Sequence, residues 1–237
     1  VKKRSGILVL GALTLLGTSL LFPIATREVR ARLGNATVES RLKEITPRVA
    51  PLWKSRLPCD ARDIDQLTLV VLKQEKKLIA LASHNQATHR IAEYPILAAS
   101  GTLGPKLKEG DRQVPEGFYK ISFLNPNSRF HLSMRVDYPS TEDIAAAKAD
   151  GRDTTNLGGD IMIHGGAASI GCVAIGDEAI EELFWLVATV GIERTELIFA
   201  PSAQLSDNGR LDHQDLPKWL TDRYARLKSV LESLAMN

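Results

Sequence analysis

The sequence predicts a mainly β domain with one strong internal helix, flanked by further helices and preceded by an apolar segment. Three observations carry that expectation. Short apolar runs punctuated by Gly and Pro fill residues 66 to 200, an amphipathic stretch begins at Asp177, and an uncharged segment, Ser5–Thr26, follows Lys2-Lys3-Arg4. At 237 residues the chain is long enough for one to two domains with a real core. The expected organisation is a membrane anchor or signal segment (1–26), a helical linker (27–59), a catalytic-sized domain (60–201) and a helical tail (202–237). The formal net charge is +2, and from Arg27 onward 27 basic residues face 28 acidic ones. That part carries no excess charge to hold a polyphosphate, which disfavours nucleic acid as a partner. Cys59 and Cys172 are the only cysteines, too few for a disulfide scaffold or a four-thiolate zinc site.

Taken in order, Ser5–Thr26 has 22 residues, and at ~1.5 Å per residue a helix of that length covers the roughly 30 Å bilayer core. The basic cluster ahead of it keeps the N-terminus inside and sends the rest across. The segment is read as an uncleaved anchor. A cleaved signal peptide is the alternative, although Pro23-Ile24-Ala25 matches a small-x-small cleavage site poorly. Either way the domain is expected in the bacterial periplasm. Val38, Leu42, Ile45, Val49 and Leu52 recur at steps of four and three, one helical face that Pro47 and Pro51 are expected to break or kink. That helix is a stalk or packs beside the domain.

Leu67–Leu72 and Leu78–Ala82 flank the polar turn Lys73–Lys77, a β-hairpin pattern. Further strands are expected at Tyr94–Ala99, Gly117–Phe123, Phe130–Val136, Asp160–His164 and Glu196–Ala200. A helix follows, with Asp177 as cap, Glu178, Glu181 and Glu182 at its positive end, Ile180, Leu183, Phe184 and Val187 buried, and Gly191 as stop. Leu216, Leu220, Tyr224, Leu227, Leu231 and Leu234 form one face of a last helix.

The chemistry concentrates in Asp160–Asp177. An apolar strand, Ile161-Met162-Ile163, delivers His164 into a loop of small residues, and Gly171-Cys172 follow. A thiol becomes a good nucleophile on ionising, and a neighbouring imidazole accepts its proton. The amides of Gly171 and Cys172 are suited to stabilise the oxyanion of a tetrahedral intermediate. From spacing alone, a buried small side chain and a satisfied core histidine read the same residues as well.

HGGAASIGCVAIGD resembles the end of the catalytic motif of the L,D-transpeptidase (YkuD-domain) family, a His-Gly followed by Ser-x-Gly-Cys. Pro115-Glu116-Gly117 resembles the family's upstream turn, and Asn125-Pro126 and Tyr138-Pro139 resemble segments of its YafK-like branch. Only seven residues separate His164 from Cys172, the compact form of that branch. Ile170 and Ala174 stand where many members carry a second His and an Arg.

The resemblance, spanning roughly residues 66–201, implies an L,D-transpeptidase-like β-sandwich or barrel with one helix after the catalytic cysteine. It implies Cys172 as nucleophile and His164 as base, oriented by a backbone carbonyl of the Gly165–Gly166 turn. Gly171 and Cys172 would form the oxyanion hole, with Gly165 and Ser169 shaping the loop. The reaction implied is acyl exchange on peptidoglycan stem peptides through a thioester, without metal, nucleotide or redox cofactor. An amine acceptor gives a cross-link or an attached lipoprotein; water gives a hydrolase on the same bond.

Tyr138, Arg129 and Arg152 are candidates for the substrate groove, each weighed against an ordinary surface role. His84, His89, His131 and His213 have no companion motif. A sortase-like enzyme would need a far longer His–Cys separation, and papain-like peptidases place Cys before His. A zinc site of Asp160, His164 and Cys172 is disfavoured, since four residues of strand span about 13 Å. A wall-binding module without catalysis is the reading from another class.

Overall fold

Continuous apolar runs mark strands buried on both faces, and here they become the middle of one large sheet. The structure, a computed structural model, describes residues 36–205 and 216–234. The expected segment Ser5–Thr26 and His213 lie outside the described residues. Among the described residues no helix is long and apolar enough to cross a membrane.

The strands are β1 (Gln66–Leu72), β2 (Lys77–His84), β3 (Ala87–Pro95), β4 (Ala98–Ala99), β5 (Gly117–Ser128), β6 (His131–Val136), β7 (Met162–His164), β8 (Val173–Ala174) and β9 (Thr195–Ala200). The helices are α1 (Val38–Arg56), α2 (Thr141–Ala149), α3 (Asp177–Val190) and α4 (Lys218–Ser233). The nine strands lie in the order β3-β2-β1-β9-β5-β6-β7-β8-β4. Only the β1–β9 and β7–β8 pairs are parallel. The first residues of β5 pair with β9 and the rest with β6, so the sheet turns at this shared strand. Its two halves enclose one core with α1 and α3, in which Leu69, Val71, Leu132, Ile163, Val173, Leu183 and Phe184 meet.

The unbroken Leu67–Leu72 run is explained by this layering. Leu67, Leu69 and Val71 face that core, while Val70 and Leu72 meet α4 through Leu220, Tyr224, Leu227 and Leu231. The hairpin forms as expected, as do the buried stripe of α3 and its stop at Gly191.

Four expectations need correction. Helix α1 runs unbroken through Pro47 and Pro51. Both prolines sit on its exposed face, where the carbonyls that lose an N–H partner can meet water. The opposite face is held by Ile45, Val49 and Trp53, with Leu52 turned outward. Next, Asp177 does not cap α3. Gly176 occupies that position, and the Asp177 carboxylate instead accepts the Gly166 N–H at 2.8 Å.

Tyr94–Ala99 is not one strand. Pro95 ends β3 at one edge of the sheet, and Ala98–Ala99 pair with β8 at the other. Finally, β3 and α2 were not expected at all. Edge strand β3 is mostly exposed and polar, leaving little apolar pattern. Helix α2 has only nine residues, yet its capping box of Ser140 and Asp143 was readable in the sequence.

Candidate active site

The site is assembled from strand ends. Ile161 and Ile163 bury themselves in the core and leave His164 at the end of β7, on the opposite face. The chain then passes under Phe130. A Cβ at Gly165 would stand 2.5 Å from the Phe130 carbonyl oxygen and 2.6 Å from Asp177 Oδ1, so no larger residue fits there. Gly171, at φ +88°, turns the loop back into β8. In the parallel β7–β8 pair, Ile163 lies opposite Val173 and His164 opposite Ala174. One step earlier, Cys172 comes alongside Met162. Imidazole and thiol therefore emerge on the same face, offset by two residues on adjacent strands.

The His164 ring is nearly enclosed. Phe130 stacks on it at 4.5 Å with 27° between the planes, and the residue is 2 % exposed. Its Nδ1 lies 2.6 Å from the Gly165 carbonyl oxygen, which can only accept, so Nδ1 carries the proton. Nε2 keeps its lone pair. Burial lowers the pKa of His164 below the ordinary 6.5, against the smaller opposing effect of the Gly165 carbonyl. Cys172 is half-buried, and its thiol donates to the Asp160 carbonyl at 3.5 Å. Burial raises its pKa above the ordinary 9.0, the Met162 N–H works in the other direction, and the Asp160 charge adds to the rise. At neutral pH the resting pair is a neutral thiol and a neutral imidazole.

The other expected residues are distributed unevenly. The Gly171 and Cys172 amides are both engaged, donating to Ser100 Oγ at 2.5 Å and to Ser169 Oγ at 3.0 Å. Ser169 thus shapes the loop as an acceptor. Arg129 is exposed beside Phe130 at the rim. Tyr138 and Arg152 do not line this face. Tyr138 is 4 % exposed, with its hydroxyl directed to the Lys106 and Leu157 carbonyls, because its ring fills the space beside Tyr119. Arg152 is drawn away by Asp150, the Leu107 carbonyl and the Trp219 ring.

Sequence reasoning missed Phe130, Ser100 and the Asp160 carbonyl. No local signal marks Ser100, which reaches Gly171 only because β4 pairs with β8. Both cysteines are free thiols; Cys59 lies in a cavity of about 760 Å³ between α1 and α3, beside Trp53 and Trp185. Among the described residues no group of three His, Cys, Asp or Glu side chains could hold a metal ion.

Pro115-Glu116-Gly117 serves a structural purpose. Glu116 is fully buried, its Oε1 accepting from Lys73 Nζ at 2.8 Å and Gly104 N at 2.7 Å, and its Oε2 from the Tyr224 hydroxyl at 2.6 Å.

A thiol and an unbonded imidazole nitrogen on one sheet face, joined by a loop of small residues, have the form of a cysteine-dependent enzyme domain. The chain belongs to the YkuD family, the L,D-transpeptidase catalytic domain, whose family model matches residues 66–193. It is 33% identical over 139 residues to the "Putative L,D-transpeptidase YafK" of Escherichia coli K12, covering 57% of this chain and 51% of that protein. The chain therefore spans about half the length of the curated relatives it matches. Among solved structures it is similar to the helical cell shape determining protein Pgp2 of Campylobacter jejuni (TM-score 0.47, 18% identity, 79% of this chain and 76% of that one). It is also similar to Mycobacterium tuberculosis L,D-transpeptidase 1 (TM-score 0.34, 12% identity, 57% and 62%).

Proposed function

We propose that this chain is a peptidoglycan-modifying cysteine acyltransferase acting on stem peptides. The observation that carries the reading is the His164 ring: Nδ1 is tied to the Gly165 carbonyl, so Nε2 is held as a base on the face that presents Cys172.

Cys172 gives its proton to Nε2 as its sulfur attacks the carbonyl carbon of the stem peptide's third residue. The developing oxyanion replaces the Ser100 and Ser169 hydroxyls as acceptor for the Gly171 and Cys172 amides. The C–N bond then breaks, the imidazolium protonates the departing D-alanine amine, and a thioester remains. In the second half an amine, or water, loses its proton to Nε2, attacks the thioester and regenerates the thiol. With a lysine amine of a lipoprotein as acceptor, the same steps attach that protein to the wall; with that lysine amine in the place of D-alanine as leaving group and water as acceptor, they release it. This reading places the domain in the periplasm, tethered by residues 5–26.

The test is release of D-alanine from a tetrapeptide muropeptide, with and without an added amine acceptor. Wild-type protein is expected to release it, and Cys172→Ser and His164→Gln to lose at least about a hundredfold in rate. Equal release by wild type and Cys172→Ser overturns the assignment. A cross-linked product with amine marks a transferase, and a free tripeptide regardless of amine marks a hydrolase.

A further inference from the structure

We propose that Arg135 and Asp160 together read the end of the donor peptide's third side chain, selecting an arm that ends in adjacent carboxylate and ammonium groups. This rests on the acyl-transfer reading of Cys172 and adds the residues that choose its donor.

Sheet register sets these residues in line. Phe123 lies opposite Arg135 across β5–β6, Arg135 lies opposite Met162 across β6–β7, and Cys172 comes alongside Met162. Met134, Ile163 and Val173 are fully buried on the core side, so Phe123, Arg135, Met162 and Cys172 form a row on the other face. Arg135 stands two strand spacings from Cys172, about 10 Å. Between them is the unbranched, partly exposed side chain of Met162. Nucleophile, apolar spacer and cation thus follow one another in the order that a polymethylene arm with a charged end presents.

The far end of that row carries two charges. Arg135 and Asp160 form an ion pair at 3.0 Å, with side chains 47% and 81% exposed. A pair so open to water is weakly held and can exchange its partners at little cost. Its guanidinium fork suits a carboxylate, and the Asp160 carboxylate suits an ammonium, so a zwitterionic arm end satisfies both at once. An arm with an ammonium alone, as in lysine, would leave Arg135 unused. Asp160 also lies beside the nucleophile, its backbone carbonyl accepting the Cys172 thiol in the resting site. Ala174, the next residue of this face along β8, is fully buried and brings no cation to it.

Three tetrapeptide donors test this against the full chain: one with an unmodified diaminopimelate arm, one with the arm carboxylate amidated, and one with the arm amine acetylated. Wild type is expected to lose at least about tenfold in kcat/KM for thioester formation on either modification. Arg135→Gln should abolish only the penalty for amidation, and Asp160→Asn only the penalty for acetylation. Wild-type selectivity retained in both variants overturns the proposal, as does a variant slowed equally on all three peptides. A wild type active on all three but indifferent to the arm overturns it while leaving acyl transfer intact. A wild type that acylates none of them denies the acyl-transfer reading, and this proposal with it.

Discussion

His164 can serve as a base through Nε2 because Nδ1 is spent on the Gly165 carbonyl, and burial keeps the ring neutral. The imidazolium cannot accept a proton, so activity is lost as pH falls through a His164 pKa lying below 6.5. The acid limb of kcat/KM should therefore lie below pH 6.5, and alkylation of Cys172 by iodoacetamide should climb with pH through the neutral range and reach its midpoint only above pH 9.0. An alkylation rate already maximal at pH 6 would show a resting thiolate and contradict this picture. Gly165→Ala should cost about 1–3 kcal/mol of stability, since its Cβ meets a backbone oxygen that cannot step aside. A lowered Tm with at least tenfold slower turnover would show it. The histidine and the cysteine were legible because one local stretch carries both. Phe130 and Ser100 were not, since pairing between distant strands delivers them, and the Asp160 carbonyl, although inside that stretch, is a backbone acceptor that no side chain marks.

Among the elements, α1 and α4 show what local rules omit. Periodicity located α1, but the rule for interior proline predicted a break or kink, and the helix stays continuous with both prolines on its exposed face. Its buried anchor is Trp53, whose indole N–H donates to the Glu182 carbonyl at 3.0 Å. Trp53→Ala should cost about 3–5 kcal/mol in urea unfolding. An effect under 1 kcal/mol would mean that α1 is not part of the stable core.

Helix α4 is fastened by more than its apolar stripe. Arg223 donates to the Glu116 carbonyl and to Asp143 Oδ1, each at 2.9 Å, and Tyr224 to Glu116 Oε2. Tyr224→Phe removes the donor from that buried oxygen and should cost about 1–3 kcal/mol. Urea denaturation of this single variant measures it, and no change would show that water replaces the hydroxyl. The stripe of α4 was visible in the sequence; its docking on Pro115-Glu116-Gly117 was not, because 107 and 108 residues separate the partners.

At the level of the whole molecule, β5 joins the two halves of the sheet around one core, and α4 closes the outer side of β1, β2 and β9. That continuity predicts one cooperative transition. Fluorescence of Trp53 and Trp185, on the α1–α3 side, and of Trp219, on α4, should change at the same denaturant midpoint as far-UV circular dichroism. Single-tryptophan variants separate the signals, and an earlier midpoint for Trp219 would show α4 to be an independently released element. Strand segments other than the polar edge strand β3 were legible from short apolar runs and Gly–Pro punctuation. Their order was not, since β1 pairs with β9 across more than a hundred residues and only the assembled core specifies that neighbour.

The most direct test of the proposed chemistry is intact-mass spectrometry of the full chain mixed with a stem tetrapeptide and quenched in acid, followed by peptide mapping. The expected result is one adduct, of a tripeptide acyl group, on the peptide that contains Cys172. No adduct, or an adduct on Cys59, would contradict the account.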